Sequence, residues 1–280
     1  MFDLLIKGGR VVAGSGDPWY YADVAVSGDR IAAIGCLKDA QARQVIDAAG
    51  KVVCPGFIDM HSHSDVLLLA NPKHEPKIMQ GVTTEVLGLD GLSYAPLSPA
   101  NLQMMRIYLA ALNGNPDNID WDWSSVSEYL AKFDRQVATN VAYLLPHNAL
   151  RLETIGFYDR QATPTELAQM QKIVAQAMEE GAVGVSFGLD YYPGRYGNIE
   201  ELIAICEAVA EYDGISEWHL RNRDLGLMAA IDEALTVGAK TKVKLHFSHF
   251  AANGVANKGK GKEMLALVDE ARERGFGYYL

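Results

Sequence analysis

From about residue 52 onward, short apolar runs rich in β-branched residues alternate with amphipathic stretches of helical period. Few folds accommodate that rhythm. The runs lie at 52–54, 84–87, 137–145, 182–187, 215–218 and 243–247. Near-continuous hydrophobicity within them, rather than in-out alternation, marks a parallel sheet covered by helices on both faces. The clearest helix opens at Thr163-Pro164-Thr165-Glu166. Thr163 is the N-cap, Pro164 takes the first helical position and Glu166 completes a capping box. Leu167, Met170, Val174, Ala177 and Met178 then form one apolar face, and Gly181 ends the helix. Residues 199–212 repeat the pattern through Leu202, Ile203, Cys206, Val209 and Ala210, which places Cys206 in the core.

Residues 1–54 read differently, as hairpins. Leu4-Leu5-Ile6 and Arg10-Val11-Val12 flank a Gly8-Gly9 turn, and Asp23-Val24-Ala25-Val26 and Arg30-Ile31-Ala32-Ala33-Ile34 flank Ser27-Gly28-Asp29. Such hairpins cannot form a stable domain alone. The boundaries are therefore an N-terminal β unit over 1–54 and an α/β unit over 55–280. In the second unit six strands are complete by residue 249 and a seventh begins at Gly277. An eight-stranded barrel would lack its last strand and most of the seventh, whereas an open doubly wound sheet of six would be complete. Pattern alone leaves both open. The hairpins and the site chemistry favour the barrel.

The chemistry begins at Asp59-Met60-His61-Ser62-His63, which follows the Val52-Val53-Cys54 strand through a Pro55-Gly56 step. Side chains alternate along an extended chain, so His61 and His63 point the same way and make half a metal site. In a barrel the active site forms at the carboxyl ends of the strands. Asp90 ends the second strand, His219 the fifth and His249 the sixth. Four of seven histidines at strand exits, with a carboxylate, supply ligands for one or two divalent ions with a position open for water.

The remaining histidines read differently. His246, three residues before His249, should face the outer helices by strand parity. His74 lies in a proline-rich turn and reads as a surface residue. His147 ends the third strand and is open to two readings, a substrate contact or acid, or a structural hydrogen bond.

A net charge of −10 argues against a nucleic-acid partner. Cys36, Cys54 and Cys206 have neither metal-like nor disulfide-like spacing and sit in apolar runs, so buried free thiols in a reducing cytoplasm are expected. The N-terminus shows no basic leader and no long apolar stretch, so neither a signal peptide nor a membrane span is expected.

With these residues in hand, the chain resembles the amidohydrolase superfamily and, within it, the N-acyl-D-amino-acid deacylases (D-aminoacylases). The resemblance rests on Asp47-Ala48-Ala49-Gly50-Lys51-Val52-Val53-Cys54-Pro55-Gly56-Phe57-Ile58-Asp59-Met60-His61-Ser62-His63 and Glu75-Pro76-Lys77-Ile78-Met79-Gln80-Gly81-Val82-Thr83-Thr84. Ser93-Tyr94-Ala95-Pro96, residues 184–189, Tyr192-Pro193-Gly194, His219-Leu220-Arg221 and Ser248-His249 follow in order. It implies a metal-bearing (β/α)8 barrel joined to a small β-sandwich, both incomplete here. It also implies one ion on His61 and His63, a second, usually the tighter zinc, on His219 and His249, and a residue after strand two that bridges the ions or joins the tighter site.

Three positions depart from the family. Asp90 stands where a cysteine is usual, and carboxylate is a harder ligand than thiolate. The lysine associated with the substrate carboxylate is Ala251 here, with Arg221, Arg195 or Lys258 as substitutes. The catalytic aspartate follows strand eight, which this chain does not contain, so the chain alone is expected to be inactive or nearly so.

The implied reaction is metal-assisted hydrolysis of a linear amide in a small N-acyl amino acid. Arg221 is the first candidate to grip the substrate carboxylate, and Tyr191 and Tyr192 to shape the acyl pocket. A cyclic-amide hydrolase of the dihydroorotase or hydantoinase kind is the alternative. It is disfavoured because Ser186-Phe187-Gly188-Leu189-Asp190 offers no lysine at the end of strand four. A fragment that keeps ligands without turnover is the third reading.

Overall fold

The computed structural model describes residues 1–275 and 278–279 and divides into two units, Met1–Phe57 and Ile58–Leu280. The first is a five-stranded sheet built around β1 (Phe2–Val11). β2 (Tyr20–Ser27) pairs antiparallel with β1, and β3 (Arg30–Gly35) antiparallel with β2 through the expected Ser27-Gly28-Asp29 hairpin. β4 (Ala42–Asp47) and β5 (Val52–Val53) run parallel to β1.

Gly8-Gly9 is not a turn. β1 passes straight through it, with a register shift against β2 between Ile6 and Gly9. Gly8 at φ +71° supplies the kink of a bulge, so one strand with an extra residue replaces the expected hairpin. Cys36 and Cys54 are exposed and only Cys206 is buried. The apolar runs around the first two lie at the rim of a small sheet with little interior to offer.

In the second unit β6 (Phe57–Asp59), β7 (Val82–Leu87), β8 (Asn140–Pro146), β9 (Gly184–Gly188), β10 (Ile215–His219), β11 (Lys244–Phe247) and β12 (Tyr278–Tyr279) lie side by side in chain order. The pairings from β7 to β12 are parallel. A doubly wound sheet reverses its strand order at a switch point. This one never does, so the sheet is singly wound, the order of a β/α barrel. Of the expected seventh strand, Gly277 and Leu280 lie outside the described residues.

Pro55-Gly56 separates two strands that the sequence reads as one. Val52–Val53 closes the N-terminal sheet, while Phe57–Asp59 starts the barrel sheet and carries the histidines. Proline has no N–H to continue a ladder, which fixes the break there.

Helices α1 (Asp65–Ala70), α2 (Glu75–Ile78), α3 (Pro99–Asn113), α4 (Val126–Ala131), α5 (His147–Thr154), α6 (Pro164–Glu179), α7 (Ile199–Ala210), α8 (Leu227–Thr241) and α9 (Gly261–Glu273) connect the strands. α6 starts with the expected capping box, the Thr163 hydroxyl accepting from the Glu166 amide and the Glu166 carboxylate accepting from the Thr163 amide. Its Met170, Val174 and Ala177 are buried, as are Leu202, Ile205, Cys206 and Val209 of α7.

Strand side chains divide cleanly. Val185, Phe187, Trp218, Leu245 and Phe247 join the apolar layer, with the Phe187 and Trp218 rings 4.7 Å apart. Each such side chain contributes roughly 1.5–3 kcal/mol of burial. The intervening positions, Ser186, Glu217, His219 and His246, are polar and buried on the other face. That polar face carries the site. No helix among the described residues is long and apolar enough to cross a membrane.

Candidate metal centre

Asp90 sits in a 3-10 turn over Leu89–Gly91 immediately after β7, in the left-handed region at φ +55°. Aspartate tolerates that region better than most residues. Two groups from the polar strand face clamp the turn. The Asp90 amide donates to Glu217 Oε2 at 2.9 Å, and the Gly91 amide to Ser186 Oγ at 3.0 Å, while the Ser186 hydroxyl donates to the Gly88 carbonyl. The turn approaches β9 so closely that a Cβ on Gly188 would collide with the Asp90 carbonyl.

Held this way, one oxygen of Asp90 meets four imidazoles. Oδ2 lies 3.6 Å from His61 Nε2, 3.4 Å from His63 Nε2, 3.3 Å from His219 Nδ1 and 3.4 Å from His249 Nε2. The five residues form two triads, His61–His63–Asp90 and Asp90–His219–His249, each with ligand atoms within 4.8 Å of one another. Asp90 belongs to both. Burial opposes ionisation of this carboxyl, but the imidazoles of His219, His249 and His63 close around it hold its pKa far below the usual range, so it is a carboxylate.

Each imidazole is placed by its neighbours. In His61-Ser62-His63-Ser64 the alternation is complete: the histidines turn to Asp90, and the serines are buried and donate to Glu85 Oε2 at 3.1 and 2.8 Å. The His61 amide donates to Asp59 Oδ1, and Asp59 pairs with Lys77. His61 Nδ1 lies 2.9 Å from Ser248 Oγ. His219 completes β10, with the Tyr191 ring 4.7 Å from its own. His249 stands two residues past β11 at φ +32°, its ring 4.6 Å from that of His219.

Burial lowers the pKa of His61 to about 4, which keeps the imidazole neutral and able to ligate. Burial also depresses His63, but hydrogen bonding to Asp90 and the Asp65 charge raise it overall. Glu217 is pushed well above the carboxylate range by burial and by the Asp90 charge.

The donor set suits a divalent cation. Four imidazoles and a shared carboxylate are ligands for zinc and similar ions, and a carboxylate oxygen can bridge two of them. Asp90 Oδ1 and both ring nitrogens of His219 are buried with no hydrogen-bond partner among the described residues. Buried polar atoms are rarely left so, and a bound cation would satisfy Asp90 and His219 together.

Other residues singled out from the sequence are placed elsewhere. His147 is fully buried with Nε2 2.6 Å from Glu201 Oε1, in a cluster that Arg151 shares. It has no exposed surface, and its contact with Glu201 is the geometry of a structural hydrogen bond. The Arg221 guanidinium is already engaged, donating to Glu233 through Nε and Nη2 and to the Arg195 and Gly197 carbonyls. It lines a groove of about 670 Å³ beside α8 with Arg195, Asn222 and Glu233, which contains none of the five site residues. Arg195 pairs with Asp190 at 3.6 Å, and its guanidinium lies 5.8 Å from the Tyr192 ring centroid. Tyr192 is 44% exposed; Tyr191 is the tyrosine beside the histidines.

His246 does not face the helices. It pairs with Glu217 across the β10–β11 ladder and so shares its face, while Leu245 packs on Gly238 of α8. His246 is buried and close enough to contribute to the depressed pKa of His61. The parity count failed because the strand ends at Phe247, and His249 reaches the site from irregular backbone. His74 is not a free surface residue either, since Nδ1 lies 2.8 Å from Glu85 Oε1.

Glu85 and Arg223 were among the residues missed. Glu85 organises the serines, His74 and Thr139, and a lone charge inside Thr84-Glu85-Val86-Leu87 was the signal for it. Arg223, whose Nη1 lies 3.1 Å from His249 Nδ1, had only the signal of a second cation two residues past Arg221.

Residues 44–276 match the model of the amidohydrolase family. A D-aminoacylase of Alcaligenes xylosoxydans xylosoxydans is 38% identical over 274 residues, spanning 98% of this chain and 55% of that relative. The fold superposes with TM-score 0.89 and 36% identity on N-acyl-D-glutamate deacylase from Bordetella bronchiseptica, a structure complexed with zinc and a phosphonate mimic of the tetrahedral intermediate. A D-aminoacylase structure with a binuclear metal centre gives TM-score 0.88 and 35% identity. The chain covers all or nearly all of its own length in these superpositions and 58% and 57% of the two neighbours, so it spans a little over half the length of its relatives. The chain belongs to the amidohydrolase family.

Proposed function

We propose that this chain carries the binuclear metal centre of a metal-dependent amide hydrolase acting on small N-acyl-D-amino acids. The observation that carries the reading is the single Asp90 oxygen shared by four imidazoles. Zinc is the favoured ion because two nitrogen–oxygen triads suit it and because a related deacylase holds zinc. When bound, such an ion lowers the pKa of a coordinated water toward neutrality and polarises the acyl carbonyl.

The chain's own residues supply the rest. His61, His63, His219 and His249 present imidazole nitrogens, and Asp90 joins the two halves while offsetting positive charge. Ser248 fixes the His61 ring, and Glu217 and Ser186 fix the Asp90 turn. Tyr191 walls the His219 side. No residue of this chain is assigned to move the proton; in the family resemblance that falls to the aspartate after strand eight. The cyclic-amide alternative has less support, since β9 ends in Ser186-Phe187-Gly188 with no lysine. Two exposed free thiols fit a cytoplasmic setting, and a net charge of −10 fits a protein without a nucleic-acid partner.

The test is calorimetric titration of the zinc-loaded chain with N-acetyl-D-amino acids, their L enantiomers and hydantoins, alongside an assay for released amino acid. Binding selective for the N-acetyl-D series, with or without turnover, is the expected result. Selective binding of the cyclic amides, or of none of the three, would refute the proposal.

A further inference from the structure

The deacylase reading requires a cation to receive the carboxylate of an N-acyl amino acid, and the cations singled out from the sequence are poorly placed for it. Arg221 has four of its five N–H bonds occupied by Glu233 and two carbonyls. Arg195 is tied to Asp190 outside the site, Lys258 is exposed in the loop after β11, and position 251 is alanine.

Arg223 differs on each count. Its guanidinium lies 3.1 Å from His249 Nδ1, a ring whose Nε2 faces Asp90 Oδ2 at 3.4 Å. Among the described residues it makes no ion pair with a carboxylate. It is near enough to Tyr191 to act on its hydroxyl electrostatically, and Tyr191 lies against His219. The Arg223 carbonyl also accepts from the Asn253 amide at 2.9 Å, which ties the loop after β10 to the loop after β11 at the mouth of the site.

The chemistry of the Arg223–His249 pair sharpens this. An imidazole that ligates a cation through Nε2 carries its proton on Nδ1. Nδ1 is then a donor and can no longer accept from the guanidinium. Two donors so close together, one of them cationic, are a site for an anionic acceptor with two oxygens.

We propose that Arg223 is the specificity-determining cation of this chain, receiving the substrate carboxylate beside His249 in place of the lysine absent at Ala251. This rests on the deacylase reading and adds the residue that recognises the acid group.

The probes are an N-acetyl-D-amino acid and its carboxamide, titrated calorimetrically into the zinc-loaded chain and into Arg223→Gln and Arg223→Lys, with zinc content measured on each. A charge-assisted forked contact corresponds to roughly a 10- to 100-fold preference for the acid over the amide. The unsubstituted chain should show that preference, R223Q should lose it with its zinc content unchanged, and R223K should keep only part. A preference retained in full by R223Q overturns the assignment while leaving the deacylase reading intact. Loss of zinc in R223Q also overturns it, because the residue would then be holding the metal centre. An unsubstituted chain that binds neither probe overturns the deacylase reading and the proposal with it.

Discussion

Replacing Ser248 with alanine should weaken one of the two metal positions more than the other. The Ser248 hydroxyl lies 2.9 Å from His61 Nδ1 and is buried. With His61 Nε2 on a cation, Nδ1 carries the proton and donates it to that hydroxyl. Partners of ligating histidines are typically worth 10- to 100-fold in metal affinity. The His61 side chain is 29% exposed, so water can take over part of the lost hydrogen bond and the lower end applies. We expect about a tenfold loss, or about 1.4 kcal/mol.

The triad of Asp90, His219 and His249 makes no side-chain contact with the Ser248–His61 pair other than through Asp90 and neighbouring rings. Its affinity should fall less than that of the His61 position, since only the shared Asp90 carboxylate and the ring contacts couple the two. Zinc titration against a chromophoric chelator resolves the two steps. The reasoning fails if both steps weaken equally, or if neither moves.

Three further outcomes follow from the same geometry. Glu217→Gln keeps an acceptor for the Asp90 amide and should cost under about 1 kcal/mol in urea unfolding, whereas Glu217→Leu strands that N–H and should cost about 1–3 kcal/mol. In metal-free protein, His61 has a folded pKa of about 4 against an ordinary 6.5, so the unfolded chain binds more protons between those values. Stability should then fall as pH drops from 6.5 toward 4, by on the order of 2 kcal/mol after allowance for partial exposure, and His61→Asn should remove that component of the pH profile. Glu201→Ala leaves Arg151 and His147 buried without their carboxylate and should cost about 3–5 kcal/mol in the same unfolding measurement.

How far the sequence reached depended on whether local pattern governed the outcome. The helix from Pro164 was legible because cap, first-turn proline, apolar face and terminal glycine all lie within one short segment. The strand runs were legible because burial on both faces leaves little polarity to confuse the reading. His61, His63, Asp90, His219 and His249 were nameable because each lies at or just past a strand end, and the singly wound order brings those ends together.

Parity failed where backbone became irregular. His249 reaches Asp90 although a regular strand through His246 would turn it away, because β11 stops at Phe247. Val52–Val53 and Phe57–Asp59 read as one strand because proline's effect on the ladder outweighs hydrophobic continuity only at a point. Arg221 and Arg223 could not be ranked from sequence. Which of two nearby arginines is free depends on Glu233, reached only through the turn of α8.

Zinc content after equilibrium dialysis, compared among the unsubstituted chain, His63→Ala and Asp90→Ala, tests the shared carboxylate most directly. If one Asp90 oxygen serves both triads, the unsubstituted chain holds two ions, His63→Ala keeps the ion on His219 and His249, and folded Asp90→Ala loses both at the same free zinc. An Asp90→Ala chain that retains one tightly held ion would contradict the shared centre.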